Sequence, residues 1–293
     1  MFKKTFGILL FILAPLIAFG QHTFSIVAID SITKEVGSAG ATCGDAVLWP
    51  GTQGAALISD IIPGLGAIHT QSYWNQQNQD QAHQKLLEGY TAEEIINWLI
   101  DNDAENNSSI RQYGAISLIN DSIKTSAYTG ENCFDYKNHI IGDHYAIQGN
   151  ILLGQSILDS MESRFLNTSG SLSEKLMASL QGAKVIGADT RCYDDQVSSP
   201  SAFLRVANSE DPPNDIYIDI IVEATPDLID PIDVVQEEFN NLNLVIENSS
   251  FQYSEPQLLR IIDILGREIT NTKKGALLFY IYDNGLVEKK MVK

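Results

Sequence analysis

The sequence predicts an α+β protein built in layers. Three observations carry that prediction. Short apolar runs bounded by Gly and Pro read as strands buried in a layered core. Amphipathic segments with Ser or Thr caps read as helices, and they come in pairs. The two kinds are segregated: strands, two helices, strands, two helices, strands, one helix. A doubly wound βαβ protein would interleave them.

Thr23 to Asp30 and Glu35 to Thr42 predict a first pair of strands, and Ala55 to Asp60 and Gly66 to Thr70 a second pair around Pro63-Gly64. A helix over Gln79 to Leu87 stops at Gly89. Thr91-Ala-Glu-Glu94 is a capping box, and Ile95, Ile96, Leu99 and Ile100 form the buried stripe of the helix it starts. Asn102 to Ser109 is polar and reads as a loop. Tyr113 to Ile119 and Ile123 to Tyr128 predict a hairpin across Asn120-Asp121. Asp143 to Gln148 is a strand that turns into a helix at Gln148-Gly149-Asn150, with Ile151, Leu158, Met161 and Phe165 at helical spacing. Ser171-Leu-Ser-Glu174 caps the next helix, which buries Leu172, Leu176, Met177 and Leu180 and ends near Gly182. Ala202 to Val206 and the alternating Ile216 to Ile220 are strands. Pro231 to Leu242 closes the domain as a helix.

The termini read differently. Lys3 and Lys4 precede an apolar run, Phe6 to Phe19, of signal-peptide length, with Ala18-Phe19-Gly20 as a cleavage site. The organisation expected is a signal peptide over 1–20, a domain over 21–246, a polar linker over 247–257 and a small β appendage over 258–293. In that appendage Leu258 to Leu265, Ala276 to Tyr282 and Leu286 to Val292 are strands, and Asn284-Gly285 is a hairpin turn. The expected location is secreted or cell-surface, reached through the periplasm. A net charge of −18 excludes polyphosphate binding, so no nucleic acid is expected as a partner. The oligomeric state is left open. Of three cysteines, Cys43, Cys133 and Cys192, export allows one bridge and leaves one thiol. The five histidines are scattered, and His139 to His144 fits no zinc spacing, so neither metal nor cofactor is expected. Thr23 stands just behind the signal peptide. A hydroxyl residue at a new N-terminus can act as nucleophile with its own α-amine as base; an ordinary first-strand residue is the other reading.

From Thr23 to about Leu242 the chain resembles the domain-of-unknown-function 1028 family. The residues that carry the resemblance are T-F-S-I-V-A from Thr23, Thr70-Gln71 with Asn75, Arg111-Gln112, Thr129-Gly130 with Cys133, Gln148-Gly149-Asn150, and Gly187, Asp189 and Arg191 before a serine-rich stretch. That family is similar to the N-terminal-nucleophile hydrolases. The resemblance implies a four-layer αββα sandwich and a nucleophile at Thr23. Two departures stand out. Gln21 and His22 remain ahead of Thr23 after cleavage at Gly20, and Cys192 stands where many relatives carry glycine. The tail resembles the C-terminal sorting signal of the type IX secretion system, through Ile262-Asp-Ile-Leu-Gly-Arg-Glu268, Phe279-Tyr-Ile-Tyr-Asp283-Asn-Gly and Val287-Glu-Lys-Lys290. It implies the type IX machinery as a partner.

The resemblance makes Thr23 and Asn150 the catalytic candidates, Asn150 as an oxyanion donor or simply a helix cap. Arg111, Gln148, Asp189 and Arg191 are the candidates for binding a small molecule or peptide. Arg111 offers a planar fork for a carboxylate, or is a solvated surface residue. Asp189 and Arg191 bind substrate or form a structural ion pair. Tyr73 and Trp74 line a pocket or belong to the core. Cys133 and Cys192 lie in two motifs that the resemblance brings to one site, so they are the expected disulfide, ahead of any pairing with Cys43. Two functions are expected as alternatives: an extracellular amide or peptide hydrolase, and a non-catalytic binding module on the same fold.

Overall fold

A computed structural model of the chain describes residues 23–47, 51–250, 258–263, 266–269, 274–282 and 287–292, with the side chains of 243–250 outside the description. The predicted signal peptide, residues 251–257 of the predicted linker and the Asn284-Gly285 turn lie outside the described residues. The chain divides into two compact units, one up to Phe239 and one from Asn240.

In the first unit the described strands form two sheets, antiparallel throughout. One has the order β10-β9-β2-β1-β8-β7, from β1 (Thr23–Ile29), β2 (Val36–Thr42), β7 (Asn138–Ile141), β8 (Tyr145–Gly149), β9 (Ser201–Ala207) and β10 (Ile218–Val222). The other has the order β3-β4-β5-β6, from β3 (Ser59–Ile62), β4 (Gly66–Ser72), β5 (Arg111–Ile119) and β6 (Ser122–Thr129). Side chains alternate between the two faces of each strand. Val27, Ile29 and Val36 of the first sheet meet Ile61, Ala67 and Ile116 of the second in one core cluster.

Helices cover the outer faces. α1 (Gln76–Leu87) and α2 (Ala92–Asp101) bury Ala82, Leu86, Ile95 and Leu99 against Ile68, Tyr113 and Ala115 of the second sheet. α3 (Gln155–Asn167) packs on α4 (Leu172–Gly182), and both pack on the first sheet. Gly37 of β2 permits the close approach of α4, because a Cβ there would sit 2.3 Å from Leu176. Both predicted capping boxes form, at Thr91 with Glu94 and at Ser171 with Glu174. The hairpin turn forms with Asn120 and Asp121 both at positive φ, 52° and 60°, as a two-residue type I′ turn requires.

Three predicted elements differ, and one strand is additional. Ala55 to Asp60 is not one strand: a 3-10 helix runs Gly54–Ile58 and β3 begins at Ser59, since the apolar run packs as a turn beside Phe203. β7 was not foreseen, because Asn138 to Ile141 is too short and polar to stand out. No helix begins at Asn150. Ile151 takes the left-handed conformation at φ 51°, and α3 starts at Gln155 after Gly154. The last helix, α5 (Pro231–Ser250), runs into the predicted linker. The second unit contains a three-stranded antiparallel sheet, β11 (Leu258–Asp263), β12 (Leu277–Tyr282) and β13 (Val287–Met291). No described helix is long and apolar enough to cross a membrane.

Candidate functional site

Segments from distant parts of the sequence meet at the N-terminal end of β1. Thr23 opens the strand opposite Thr42, and Phe24 lies opposite Gly149 of β8. The Thr23 carbonyl accepts the backbone N–H of Asn150 at 3.1 Å and Nε2 of Gln71 at 3.3 Å. One residue past Thr42, the N–H of Cys43 donates to Asp189 Oδ2 at 3.0 Å. Asp189 also holds Arg191, with Nη2 to Oδ2 at 2.9 Å and Nε to Oδ1 at 3.1 Å. Thr23, Asn150 and Asp189 are fully buried, while the Arg191 side chain is 33% exposed. Four predicted site residues thus converge, and Arg191 is the one that reaches solvent.

The Thr23 hydroxyl is buried and makes no hydrogen bond among the described residues. That is costly for a polar group unless something else uses it. Asn150 does not cap a helix; its Nδ2 donates to Gln112 Oε1 at 2.9 Å. Gln148 lies opposite Ser25, not at the strand's end. Its Nε2 donates to Ser25 Oγ at 2.6 Å and to His69 Nδ1 at 3.1 Å. It sits behind the site in the space between the sheets. Gly114 makes that space, since a Cβ there would lie 1.9 Å from Gln148 Oε1.

Arg111 is neither solvated nor beside Thr23. It points toward α1, the opposite way from its neighbour Gln112, and is 2% exposed. Nε meets Asp103 Oδ2 at 2.8 Å, Nη2 meets Glu105 at 2.7 Å, and Nη1 donates to the Tyr73 carbonyl. Asp103 also accepts from Asn78 and from the backbone of Glu105 and Asn107. Burial opposes the charge on Asp103, but Arg111 and these donors hold its pKa down at about 2. Tyr73 makes a tilted ring contact with Phe134, and Trp74 donates to Gln79.

The expected Cys133–Cys192 bridge is overturned. Cys43 bonds to Cys192 with Cα atoms 5.9 Å apart, because the Asp189 turn docks on the end of β2. Cys133 is a buried free thiol that donates to the Arg111 carbonyl at 3.2 Å. Burial raises its pKa, so it is a poor nucleophile. The bridge closes a long loop, its cysteines 149 residues apart. Replacing both cysteines with alanine is expected to cost about 2–4 kcal/mol, read as the fall in unfolding free energy in urea. An unchanged midpoint would show that the bridge does not constrain the unfolded chain. Among the described residues one cluster has metal-ligand spacing, Cys43, Cys192 and Asp195, and its sulfurs are bonded to each other, leaving no thiolate to offer.

Residues missed as site elements fill the space between the sheets beneath Thr23. Ser25, Ser38, His69, Gln71 and Gln112 are all fully buried. Their signal was present in the sequence. Each is a polar residue at an inward position of a strand that is buried around it, as in T-F-S-I-V-A-I and G-A-I-H-T-Q-S. His69 is held neutral, its pKa pushed down to about 3 by burial and then by the charge of Arg205.

A cleft of about 550 Å³ lies elsewhere, lined by Ile29, Asp30, His144, Tyr145, Phe165 and Lys175 among others. It adjoins the far end of β1, about 20 Å from Thr23 at ~3.3 Å per residue. Its size does not make it the reacting centre, since none of the convergent residues borders it.

The model of a family of unknown function, DUF1028, matches residues 23–232. The chain is similar to a DUF1028 protein from Silicibacter pomeroyi seen in a crystal structure, at 22% identity and TM-score 0.60 over 75% of this chain and 88% of that one. At that identity the likeness is one of fold alone. It is also similar to the Anbu (Gly-1) mutant from Hyphomicrobium sp. strain MC1, at 9% identity and TM-score 0.39 over 80% of this chain and 100% of that one, an overlap too low to argue from. No curated protein matches.

Proposed function

The chain belongs to the DUF1028 family of unknown function, and from the site at the head of β1 we propose that it is a secreted hydrolase of the N-terminal-nucleophile type that cleaves an amide or peptide bond with Thr23. One observation carries the reading. Thr23 is the first residue of the family match, lies in β1, and bears a buried hydroxyl that has no hydrogen-bond partner among the described residues. The stacked sheets with helix pairs outside support reading the fold as the αββα sandwich of that hydrolase type.

The chemistry requires removal of every residue ahead of Thr23. The freed α-amine, with an ordinary pKa near 8, takes the proton of the hydroxyl as it attacks the amide carbon. The amine passes that proton to the departing nitrogen, leaving an ester on Oγ1. Water, deprotonated by the same amine, then releases the acid. Backbone N–H groups and Asn150 are the proposed oxyanion donors. Arg191, half of an ion pair and partly exposed, is the proposed contact to substrate.

The expected result is that the secreted protein begins at Thr23 and hydrolyses a member of a broad amide and peptide panel, and that Thr23→Ala abolishes this with little change in thermal stability. Gln21 retained in an active preparation would overturn the mechanism. A non-catalytic binding module is the second reading, favoured by one observation: in the uncleaved chain Thr23 is fully enclosed. N-terminal sequencing separates the two.

The tail is proposed to be the type IX sorting signal, supported by its separation as a compact unit with its own sheet. The Cys43–Cys192 bridge fits an oxidising compartment. Deleting Leu258 to Lys293 is expected to leave a folded protein in the periplasm. Normal release of that truncation into the medium would show that the signal lies elsewhere.

A further inference from the structure

The space between the two sheets is filled in two ways. Toward the Ile29 end of β1 it holds Val27, Ile29, Val36, Ala67 and Ile116. Toward Thr23 it holds hydroxyls, amides and one imidazole. Apolar side chains pack that space well at one end, so the fold does not itself demand polar ones at the other. Burying a polar network is at best neutral for stability compared with a packed apolar core. The network therefore needs a reason at its Thr23 end.

Its hydrogen bonds run in a fixed sense. The amide nitrogen of Gln148 can only donate, so His69 Nδ1 accepts from it at 3.1 Å and the ring proton sits on Nε2, facing Ser38 Oγ at 2.5 Å. Gln148 Nε2 gives its other hydrogen to Ser25 Oγ at 2.6 Å. Ser25 Oγ then donates to Gln71 Oε1, also at 2.6 Å. Gln71 Nε2 spends its two hydrogens on the Thr23 carbonyl at 3.3 Å and on Gln112 Oε1 at 2.8 Å. Gln112 Nε2 in turn donates to the Gly149 carbonyl at 2.8 Å. Turning the Gln71 amide over would set its oxygen against two carbonyl oxygens, so its orientation is unique. An amide nitrogen accepts no proton, so the chain cannot relay one.

We propose that Gln71 is the positioning residue of the Thr23 nucleophile, fixing the Thr23 carbonyl and hence the direction of its hydroxyl and α-amine. The inference rests on the proposed function. Ser25 and Gln112 hold Gln71 from either side, Gln148 holds Ser25, and His69 holds Gln148. The whole array locks one residue.

The test uses the mature secreted protein and a panel of dipeptidyl epoxyketones. An N-terminal threonine adds its hydroxyl to the ketone and opens the epoxide with its amine, so both bonds form only when the two groups are correctly placed. Labelling of Thr23 is followed by intact mass, giving a maximal rate and a half-saturating concentration. Gln71→Met, which removes the donors at similar volume, is expected to lower the maximal rate at least tenfold and leave half-saturation within twofold. Both proteins are expected to label more slowly as acid protonates the α-amine, so the readout is the Gln71→Glu rate divided by the wild-type rate at each pH: highest at the acid end, where the buried carboxyl is protonated and can donate, and falling as pH rises and that carboxyl ionises. If Gln71→Met does not fold, the Gln71→Glu profile decides alone. Maximal rates within twofold of wild type, or a Gln71→Glu profile that follows wild type, would reduce Gln71 to a packing residue. Absence of a wild-type adduct on a chain that begins at Thr23 would remove the proposed function and this inference with it, a result distinct from failure of the Gln71 variants alone.

Discussion

Arg111→Ala is expected to lower the unfolding free energy by about 3–5 kcal/mol, the range for removing one partner of a buried ion pair. The alanine leaves the Asp103 carboxylate, 1% exposed, with its hydrogen-bond donors but without its counter-charge. It also strips a donor from the Tyr73 carbonyl. The sign with pH follows from Asp103, whose folded pKa of about 2 lies below its usual 3.8. The stability that carboxylate contributes is present above about pH 4 and is lost as pH falls toward 2. Arg191→Ala, by contrast, removes a partly exposed partner and should cost less. Urea unfolding of both variants at pH 7 checks the comparison. Equal and small losses would mean that the Asp103–Arg111 pair is not desolvated.

The second large effect is acid destabilisation through His69. Its folded pKa is about 3 against 6.5 for a free side chain. Between those values the unfolded chain binds a proton that the folded protein excludes. Stability from this source is therefore intact above about pH 6.5 and declines as pH falls, by about 4 kcal/mol at pH 3. His69→Gln should flatten the decline between pH 6.5 and 4 while lowering stability at neutral pH, since the bonds to Ser38 and Gln148 are disturbed. His83 works in the opposite sense. Its bond to Asp60 raises its pKa, so its contribution is present below about pH 6.5 and lost as pH rises; at 43% exposure it is small. A wild-type profile as steep in His69→Gln as in the parent would place the acid sensitivity elsewhere.

Much of this architecture was legible before any coordinates. Short apolar runs bounded by turn residues located β1, β2, β4, β5, β6, β8, β9 and β10, most of them buried on both faces, and caps and helical spacing located five helices, each burying one regular face. What failed was local. Ile151 has the spacing of a helix residue but sits in a left-handed turn, since the chain there must leave β8 and bond to Phe134 and the Asp189 segment. The cysteine pairing failed because sequence does not report which loop docks on which strand; Cys43 looked remote from Cys192 and is adjacent to it. The candidate site was half legible. Thr23, Asn150, Asp189 and Arg191 lie close to one another at the head of β1, but Arg111 turns to the opposite face from Gln112, and one step along a strand decides that. Ser25, His69, Gln71 and Gln112 were visible as polar interruptions of inward-facing positions, and their meaning depended on the facing sheet.

The strand order β10-β9-β2-β1-β8-β7 has a consequence for how this domain comes into being. The first hairpin emerging from the ribosome is the middle of its sheet, and both of its edges wait for strands made much later. β8 begins at Tyr145 and β9 at Ser201. At ordinary synthesis rates the β2 edge stays unpaired for on the order of ten seconds. Contact order is high by construction, so vectorial folding is denied to the nascent chain and folding is slow relative to a helical protein of this length. An apolar hairpin with two open edges is the part of a chain most prone to pair with a neighbour. The segment from Thr23 to Thr42 is thus the one a holding chaperone would have to shield until the last strands arrive.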